Sequence, residues 1–205
     1  MIVFYRLLSF SPSIHKVSMM LNETGLPYSV KNVEWQSDGT PTDGYLAVNP
    51  NGTVPAIVDE DNGAIIFESG AILFYLAEKS GKLLPADIKN RGEVMKWLMF
   101  EAANVGPIMV ELFHYMLKAS DEIADVHLRR YKDKVAQFCA ILDRQLTERA
   151  YLCGEYSIAD IALFPWCGVL EDMADVKLSD YPNLNNWANT IAKRPAAMGG
   201  YSPSA

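Results

Sequence analysis

The segment from residue 49 to residue 69 constrains the fold of this chain most. Two short apolar runs, residues 56–58 and 64–67, flank an Asp-Asn-Gly turn, a pattern typical of a β-hairpin. A proline, Pro55, stands at the entrance to the first strand. The backbone of the preceding Val54 is therefore free to pair with something other than the sheet, such as an extended peptide.

Glu68 and Ser69 follow the second strand and precede a predicted helix over residues 71–79. The first N–H groups of a helix have no intrahelical partner and attract a carboxylate. A simpler role is also open, in which Ser69 caps the helix and Glu68 faces its dipole. The two roles are compatible. Glu68 and Ser69 therefore predict an anion-binding position at the start of the helix after the hairpin.

The first 80 residues alternate between strand and helix patterns, which favours a mixed sheet with helices on its faces. Residues 34–48 are polar and predict an irregular connection. The predicted elements are a strand at 2–5, a helix at 14–24 that ends at Gly25, a strand at 28–33, the hairpin, and the helix at 71–79.

After a linker at residues 81–88 the pattern becomes wholly helical. The division predicts an α/β domain over 1–80 and an all-α domain over 89–205. Ser157 and Asp160 form a capping box in its Ser-x-x-Asp form, whose role is in folding. The predicted helices are 91–119 with a kink at Gly106-Pro107, 123–149, 158–173 and 184–194, followed by a loosely packed tail at 196–205.

Charge and composition exclude several classes of function. The formal net charge is −7, which argues against a nucleic-acid partner because phosphate binding needs a basic surface. The sequence has neither a membrane-spanning apolar run nor the pattern of a signal peptide. The three cysteines all lie in the second half and predict free thiols in a reducing cytoplasm. The three histidines share no ligand spacing, so no metal site is predicted.

Three motifs, in order and spacing, resemble the cytosolic glutathione transferases of the serine type. They are Asn49-Pro50 with Val54-Pro55, the Glu68-Ser69 pair, and Gly154-Glu-Tyr-Ser-Ile-Ala-Asp160. The resemblance implies an α/β thioredoxin-like N-terminal domain, with a cis-proline loop, and an all-α C-terminal helical bundle. The segment from Ser11 to Lys16, Ser-Pro-Ser-Ile-His-Lys, is most similar to bacterial nu-class and beta-like members.

The resemblance implies that Ser11, just ahead of the first helix, donates a hydrogen bond to the glutathione sulfur. Ser13 is the alternative donor, and either serine could instead serve as a helix cap. Tyr5 is expected in the core. A hydroxyl donor and a helix N-terminus would both favour the thiolate over the thiol.

Other contacts to glutathione are implied by the same resemblance. The backbone of Val54 pairs with the cysteinyl part, while Glu68 and Ser69 hold the γ-glutamyl end. Thr53 stands where many relatives have Lys or Gln, which predicts weaker binding. Three further candidates are polar side chains that could equally be solvated surface residues: Gln36, Asn104 and Arg130.

The leading expectation is a glutathione transferase that directs the thiolate at an electrophilic carbon. The first alternative is a nu-like glutathione-dependent disulfide or hydroperoxide reductase, and the second is a non-catalytic interaction module on the same fold. The first domain contains no cysteine, which excludes a Cys-x-x-Cys mechanism there. The family also implies a homodimer. Five residues could line an apolar pocket or belong to the core: Met99, Met109, Phe113, Tyr115 and Met116.

Overall fold

The computed structural model describes residues 1–9, 11–37, 39–118 and 122–199. The chain divides into two compact units. The first comprises Met1–Leu84 together with the segment that starts at Arg194, and the second comprises Pro85–Lys193. Within the described ranges, no helix is both long and apolar enough to cross a membrane.

The first unit is a four-stranded mixed sheet with the strand order β2-β1-β3-β4. Strand β1 pairs with β2 in parallel and with β3 antiparallel, and β3 pairs with β4 as the predicted hairpin. This confirms the thioredoxin-like α/β fold. The elements are β1 Ile2–Arg6, α1 Pro12–Thr24, β2 Tyr28–Asn32, α2 Asp43–Leu46, β3 Ala56–Asp59, β4 Ala64–Phe67 and α3 Ser69–Ser80.

Helix α1 shows why the sequence pattern predicted its position. Pro12 occupies its first turn, where a missing N–H costs nothing. Val17, Met20 and Leu21 on its apolar face are wholly buried. The helix ends at Gly25, whose φ of 71° is the left-handed conformation that glycine adopts without a steric penalty.

Two predictions within the first unit are corrected. The segment 34–48 is not wholly irregular, because it contains the short helix α2. Helix α3 begins at Ser69 and not at residue 71, so Glu68 occupies the N-cap position. The interpretation of Ser69 as the cap is therefore wrong, because Ser69 is already the first helical residue.

The second unit consists of helices, which confirms the all-α prediction. A π-helical segment, Glu101–Val105, joins α4 to α5 directly before Gly106, so the predicted irregularity starts before the Gly-Pro pair. The helices are α4 Ile88–Phe100, α5 Gly106–Lys118, α6 Glu122–Gln145, α7 Ile158–Cys167, α8 Leu170–Ala174, a 3₁₀ turn Leu178–Asp180, and α9 Pro182–Ala192.

The predicted helix over 158–173 is two helices, because the chain turns at Gly168 between α7 and α8. The capping box at the start of α7 is confirmed, with both of its reciprocal hydrogen bonds present. Its acidic member, Asp160, is completely buried. It accepts hydrogen bonds from the backbone N–H of Leu152 at 3.0 Å and from Trp187 Nε1 at 2.8 Å.

The segment after α9 differs from the loosely packed tail that was predicted. Residues Pro195–Gly199 form a helix, α10, that packs against α1 of the first unit. Ala196 is buried, and the burial of this apolar side chain holds the segment against α1. The predicted helical domain over 89–205 therefore extends too far, and residues 200–205 lie outside the described ranges.

Candidate active site

Ser11 occupies the N-cap position of α1, with the extended φ and ψ of −149° and 131°. Its carbonyl accepts the first hydrogen bond of the helix, from His15 N–H at 2.9 Å. Its side chain makes no capping hydrogen bond and is partly exposed. The hydroxyl is therefore not used to cap the helix, although the residue stands at the cap position.

Ser13 lies within the first turn of α1, two residues beyond the N-cap. The interpretation of Ser13 as the helix cap is wrong, because that position belongs to Ser11. Its side chain is partly exposed. Tyr5 packs with Tyr45, their ring centroids 5.7 Å apart, against the cluster of Val33 and Ala56, as expected for a core residue.

Val54 lies just outside the β-ladder, which begins at Ala56. The Val54–Pro55 peptide bond is cis, as the resemblance implied. Among the described residues, no backbone hydrogen bond involves the N–H or C=O of Val54. The arrangement therefore leaves a short length of backbone that can pair with an extended peptide.

Two buried polar residues, neither of them predicted as a site residue, shape the loop before Val54. Tyr45 Oη and Asn49 Nδ2 both donate to the carbonyl of Thr53, at 2.5 and 2.6 Å. Asn49 Oδ1 also accepts from the N–H of Asn51 at 3.0 Å. Asn49 is completely buried and Tyr45 nearly so, whereas the Thr53 side chain is exposed. The proline-flanked spacing of Asn49 was visible in the sequence, but the contact from Tyr45 was not.

Glu68 has an unusual backbone conformation at the start of α3, with a φ of 68° and a ψ of 119°. Non-glycine residues rarely adopt a positive φ, and such strained positions cluster at functional sites. Its carbonyl accepts from Ile72 N–H at 2.9 Å. The Glu68 side chain is exposed and makes no capping hydrogen bond, and Ser69 beside it is partly exposed.

The remaining candidates are distributed over both units. Gln36 is exposed in the first unit, where its amide donates to Thr40 Oγ1 and to the carbonyl of Pro41, at 3.3 and 3.2 Å. Asn104 is exposed in the π-helical segment of the second unit. Arg130 is exposed on α6, on the same helix face as Asp133 and Lys134.

The apolar candidates of the second unit divide into core and surface. Met109 is completely buried in the core. Met99, Phe113 and Met116 are large apolar side chains that remain nearly half exposed, so a core role for these three is wrong. Tyr115 is partly buried and stacks on His127 with ring centroids 5.4 Å apart.

The three cysteines are free thiols of the second unit, as predicted. Burial raises the pKa of Cys139 to about 12 and that of Cys153 to about 11. Burial also raises the pKa of Cys167. None of these thiols is a good source of thiolate at neutral pH. Among the described residues, no cluster of three or more His, Cys, Asp or Glu could hold a metal ion.

Comparison with known proteins identifies the family. The model for the glutathione S-transferase N-terminal domain matches residues 10–79, and that for the C-terminal domain matches residues 107–195. The chain belongs to the glutathione S-transferase family. The chain is similar to the disulfide-bond oxidoreductase YfcG of Escherichia coli, with 34% identity over 91% of this chain and 88% of that protein.

Two solved structures of the family are also similar to this chain. One is a Pseudomonas fluorescens glutathione transferase family member with two glutathione molecules bound, at a TM-score of 0.88, 34% identity and coverage of 98% and 92% of the two chains. The other is a Pseudomonas putida glutathione transferase with one glutathione disulfide bound per subunit. Its TM-score is 0.88, with 32% identity and coverage of 98% and 90%.

Proposed function

We propose that this glutathione S-transferase family member binds glutathione on its first unit and uses the glutathione thiolate to reduce disulfides. The observation that carries the proposal is the Ser11 hydroxyl, which stands at the N-terminus of α1 and does not cap it. A free thiol has a pKa of about 8.5. A hydroxyl donor and a helix N-terminus both stabilise the thiolate and lower that pKa.

Binding would follow the geometry of the first unit. The unpaired backbone of Val54 pairs with the cysteinyl part of glutathione, and the Thr53 side chain lies beside it. Glu68 and Ser69, at the strained entry to α3, hold the γ-glutamyl end. Gln36, and Asn104 and Arg130 of the second unit, are proposed as weaker contacts.

The proposed reaction proceeds by two thiol–disulfide exchanges. The glutathione thiolate attacks one sulfur of the substrate disulfide, so a mixed disulfide forms and the other sulfur leaves as a thiolate that takes up a proton. A second glutathione thiolate attacks the mixed disulfide, releasing the second substrate thiol and glutathione disulfide. The first unit contains no cysteine, so glutathione supplies every reacting thiolate. The similarity to the disulfide-bond oxidoreductase YfcG and to a structure with glutathione disulfide bound supports this choice.

Conjugation to an electrophilic carbon is the second candidate function. It would use the same thiolate, bound in the same way. The exposed apolar side chains of Met99, Phe113 and Met116 favour it, because they offer a surface for an apolar second substrate. A hydroperoxide is a third acceptor for the same thiolate.

The test is glutathione-dependent turnover of a mixed disulfide, a hydroperoxide and a chloro-nitroaromatic compound by the native protein, Ser11→Ala and Ser13→Ala. We expect the disulfide to be the best substrate and Ser11→Ala to lose turnover while still binding glutathione resin. A loss confined to Ser13→Ala would assign the sulfur contact to Ser13. Retention on resin without turnover of any substrate would favour a non-catalytic interaction module, and absent binding would contradict the site itself.

We also propose that the protein is a homodimer in the cytoplasm. Ile65 and Phe67 on the edge strand β4 are exposed apolar side chains, and a second copy would cover such surface. The free thiols support a reducing compartment. Light scattering at several concentrations tests the dimer, and a monomer mass throughout would contradict it.

A further inference from the structure

The segment Arg194–Gly199, here called the C-terminal strap, lies against α1, the helix whose N-terminus carries Ser11. Arg194 forms a two-point ion pair with Glu23 near the end of α1, through Nε at 2.6 Å and Nη2 at 2.9 Å. Glu23 is mostly buried in this pair. Ala196, two residues further along the strap, is also buried.

His15 connects the strap to the first turn of α1. Its Nε2 lies 3.1 Å from the carbonyl oxygen of Ala197, and a carbonyl can only accept, so Nε2 carries the proton. The backbone N–H of the same residue donates to the carbonyl of Ser11 at 2.9 Å. One residue therefore contacts both the strap and the candidate sulfur-activating serine.

The two attachments lie eight residues apart on α1, which corresponds to about 12 Å along the helix axis. The strap therefore spans the helix from its last turn to its first. Burial lowers the pKa of His15, so the ring is a neutral donor at pH 7. Bidentate ion pairs of arginine with a carboxylate are directional as well as strong, and this one limits how the strap can slide along α1.

We infer that His15 is a positioning residue, through which the C-terminal strap holds the first turn of α1 and so aims the Ser11 hydroxyl. This inference rests on the proposed function, because it assigns Ser11 to the glutathione sulfur. Without the strap, the His15 side chain loses its hydrogen bond to Ala197. The His15 backbone N–H, which donates to the Ser11 carbonyl, is then held less firmly, and the direction of the Ser11 hydroxyl is less well fixed.

The test measures the pKa of the glutathione thiol in the complex, from the ultraviolet absorbance of the thiolate as a function of pH. The variants are His15→Ala, Arg194→Ala and their combination. We expect each single variant to raise this pKa by about half a unit, which lowers the ratio of thiolate to thiol at pH 7 about threefold. Because both act through the strap, the combination is expected to raise it no further than the larger single effect.

Two matched variants distinguish positioning from general loss of structure. His15→Gln keeps a donor at the position of Nε2 and is expected to restore the native thiol pKa. Met198→Ala removes a side chain of the strap that is 66% exposed and is expected to leave it unchanged. An unchanged thiol pKa in both alanine variants, or the same rise in Met198→Ala, would overturn the inference.

A second measurement does not depend on glutathione. Amide hydrogen exchange at His15 reports the hydrogen bond to the Ser11 carbonyl, and we expect about tenfold faster exchange in Arg194→Ala. If the native protein does not bind glutathione, the proposed function fails whatever the exchange rates are. Unchanged exchange in a native protein that does bind glutathione would overturn the strap inference alone.

Discussion

Two serines occupy the same backbone position at the start of two helices, and their hydroxyls have different surroundings. Ser11 and Ser157 are both N-caps with extended backbone, at φ of −149° and −144°. Ser157 is 2% exposed, and its hydroxyl accepts from Ala159 N–H and contacts Asp160. Ser11 is partly exposed and its hydroxyl makes no capping bond. The comparison teaches that a cap position in sequence does not decide whether its hydroxyl serves folding or a ligand.

The largest expected effect is on stability and concerns Asp160, the buried partner of Ser157. Asp160→Ala would leave the N–H of Leu152, the N–H of Ser157 and Trp187 Nε1 without their acceptor in the core. We expect the free energy of unfolding to fall by about 3 kcal/mol or more, as measured by urea denaturation. Asp172→Ala on the exposed face of α8 is the control, and an equal loss there would contradict this account.

The next effect separates the two serines directly. Ser11→Ala is expected to reduce glutathione-dependent turnover at pH 7 about 10- to 100-fold, because the thiolate loses its donor, with unfolding free energy changed by less than about 0.5 kcal/mol. Ser157→Ala should show the reverse, a loss of about 1 kcal/mol in stability with turnover per folded molecule unchanged. Turnover and urea denaturation of both variants are measured together. If both variants lose stability equally, the comparison fails.

A smaller effect is expected from the loop that presents Val54. Tyr45→Phe removes the hydroxyl that donates to the Thr53 carbonyl while keeping the ring in its cluster. Asn49 still donates to that carbonyl, so we expect a threefold to tenfold rise in the KM for glutathione, equivalent to about 1 kcal/mol, with kcat nearly unchanged. Tyr28→Phe, whose hydroxyl is on the surface, is the matched control.

The smallest effect concerns a surface carboxyl at the hairpin turn, in contrast to Asp160, whose pKa is raised by burial. Hydrogen bonds from Lys79 lower the pKa of Asp61 to about 2. Because the folded pKa lies below the unfolded value, the ionised form stabilises the fold above about pH 4, and this stability is lost as the pH falls towards 2. Asp61→Asn should reduce the pH dependence of the melting temperature between about pH 4 and 2. About 1 M salt should reduce the pH dependence of the native protein likewise. If neither change has an effect, the ion pair of Asp61 with Lys79 does not stabilise the fold.

The sequence predicted most of the fold because the spacing of apolar residues and the positions of turn and stop residues indicate the same helices and strands. The period of 3.6 in α1 and the turn in the hairpin are local signals that the packing reinforces. The α2 helix was missed because four residues are too few to show a period. The π-helical segment was missed because Glu101, which accepts from Trp166 Nε1 at 2.8 Å, is held by a residue 65 positions away.

The candidate site was predictable as a set of positions but not as a set of contacts. The motifs placed Ser11, Val54 and Glu68 in the first unit, at the starts of two helices and one strand. That the Ser11 hydroxyl is not a cap, and that Tyr45 holds the Thr53 carbonyl, depends on tertiary packing that no local pattern encodes. The roles of these residues towards glutathione stay predictions.

The absence of cysteine from the first 84 residues has a consequence for durability under oxidants. In an enzyme with a catalytic cysteine, oxidation to the sulfinic or sulfonic acid ends the life of that molecule. Here the reacting sulfur belongs to the ligand in the proposed reaction and leaves with each cycle. An overoxidised sulfur is therefore discarded with the small molecule, and the next glutathione restores a working site.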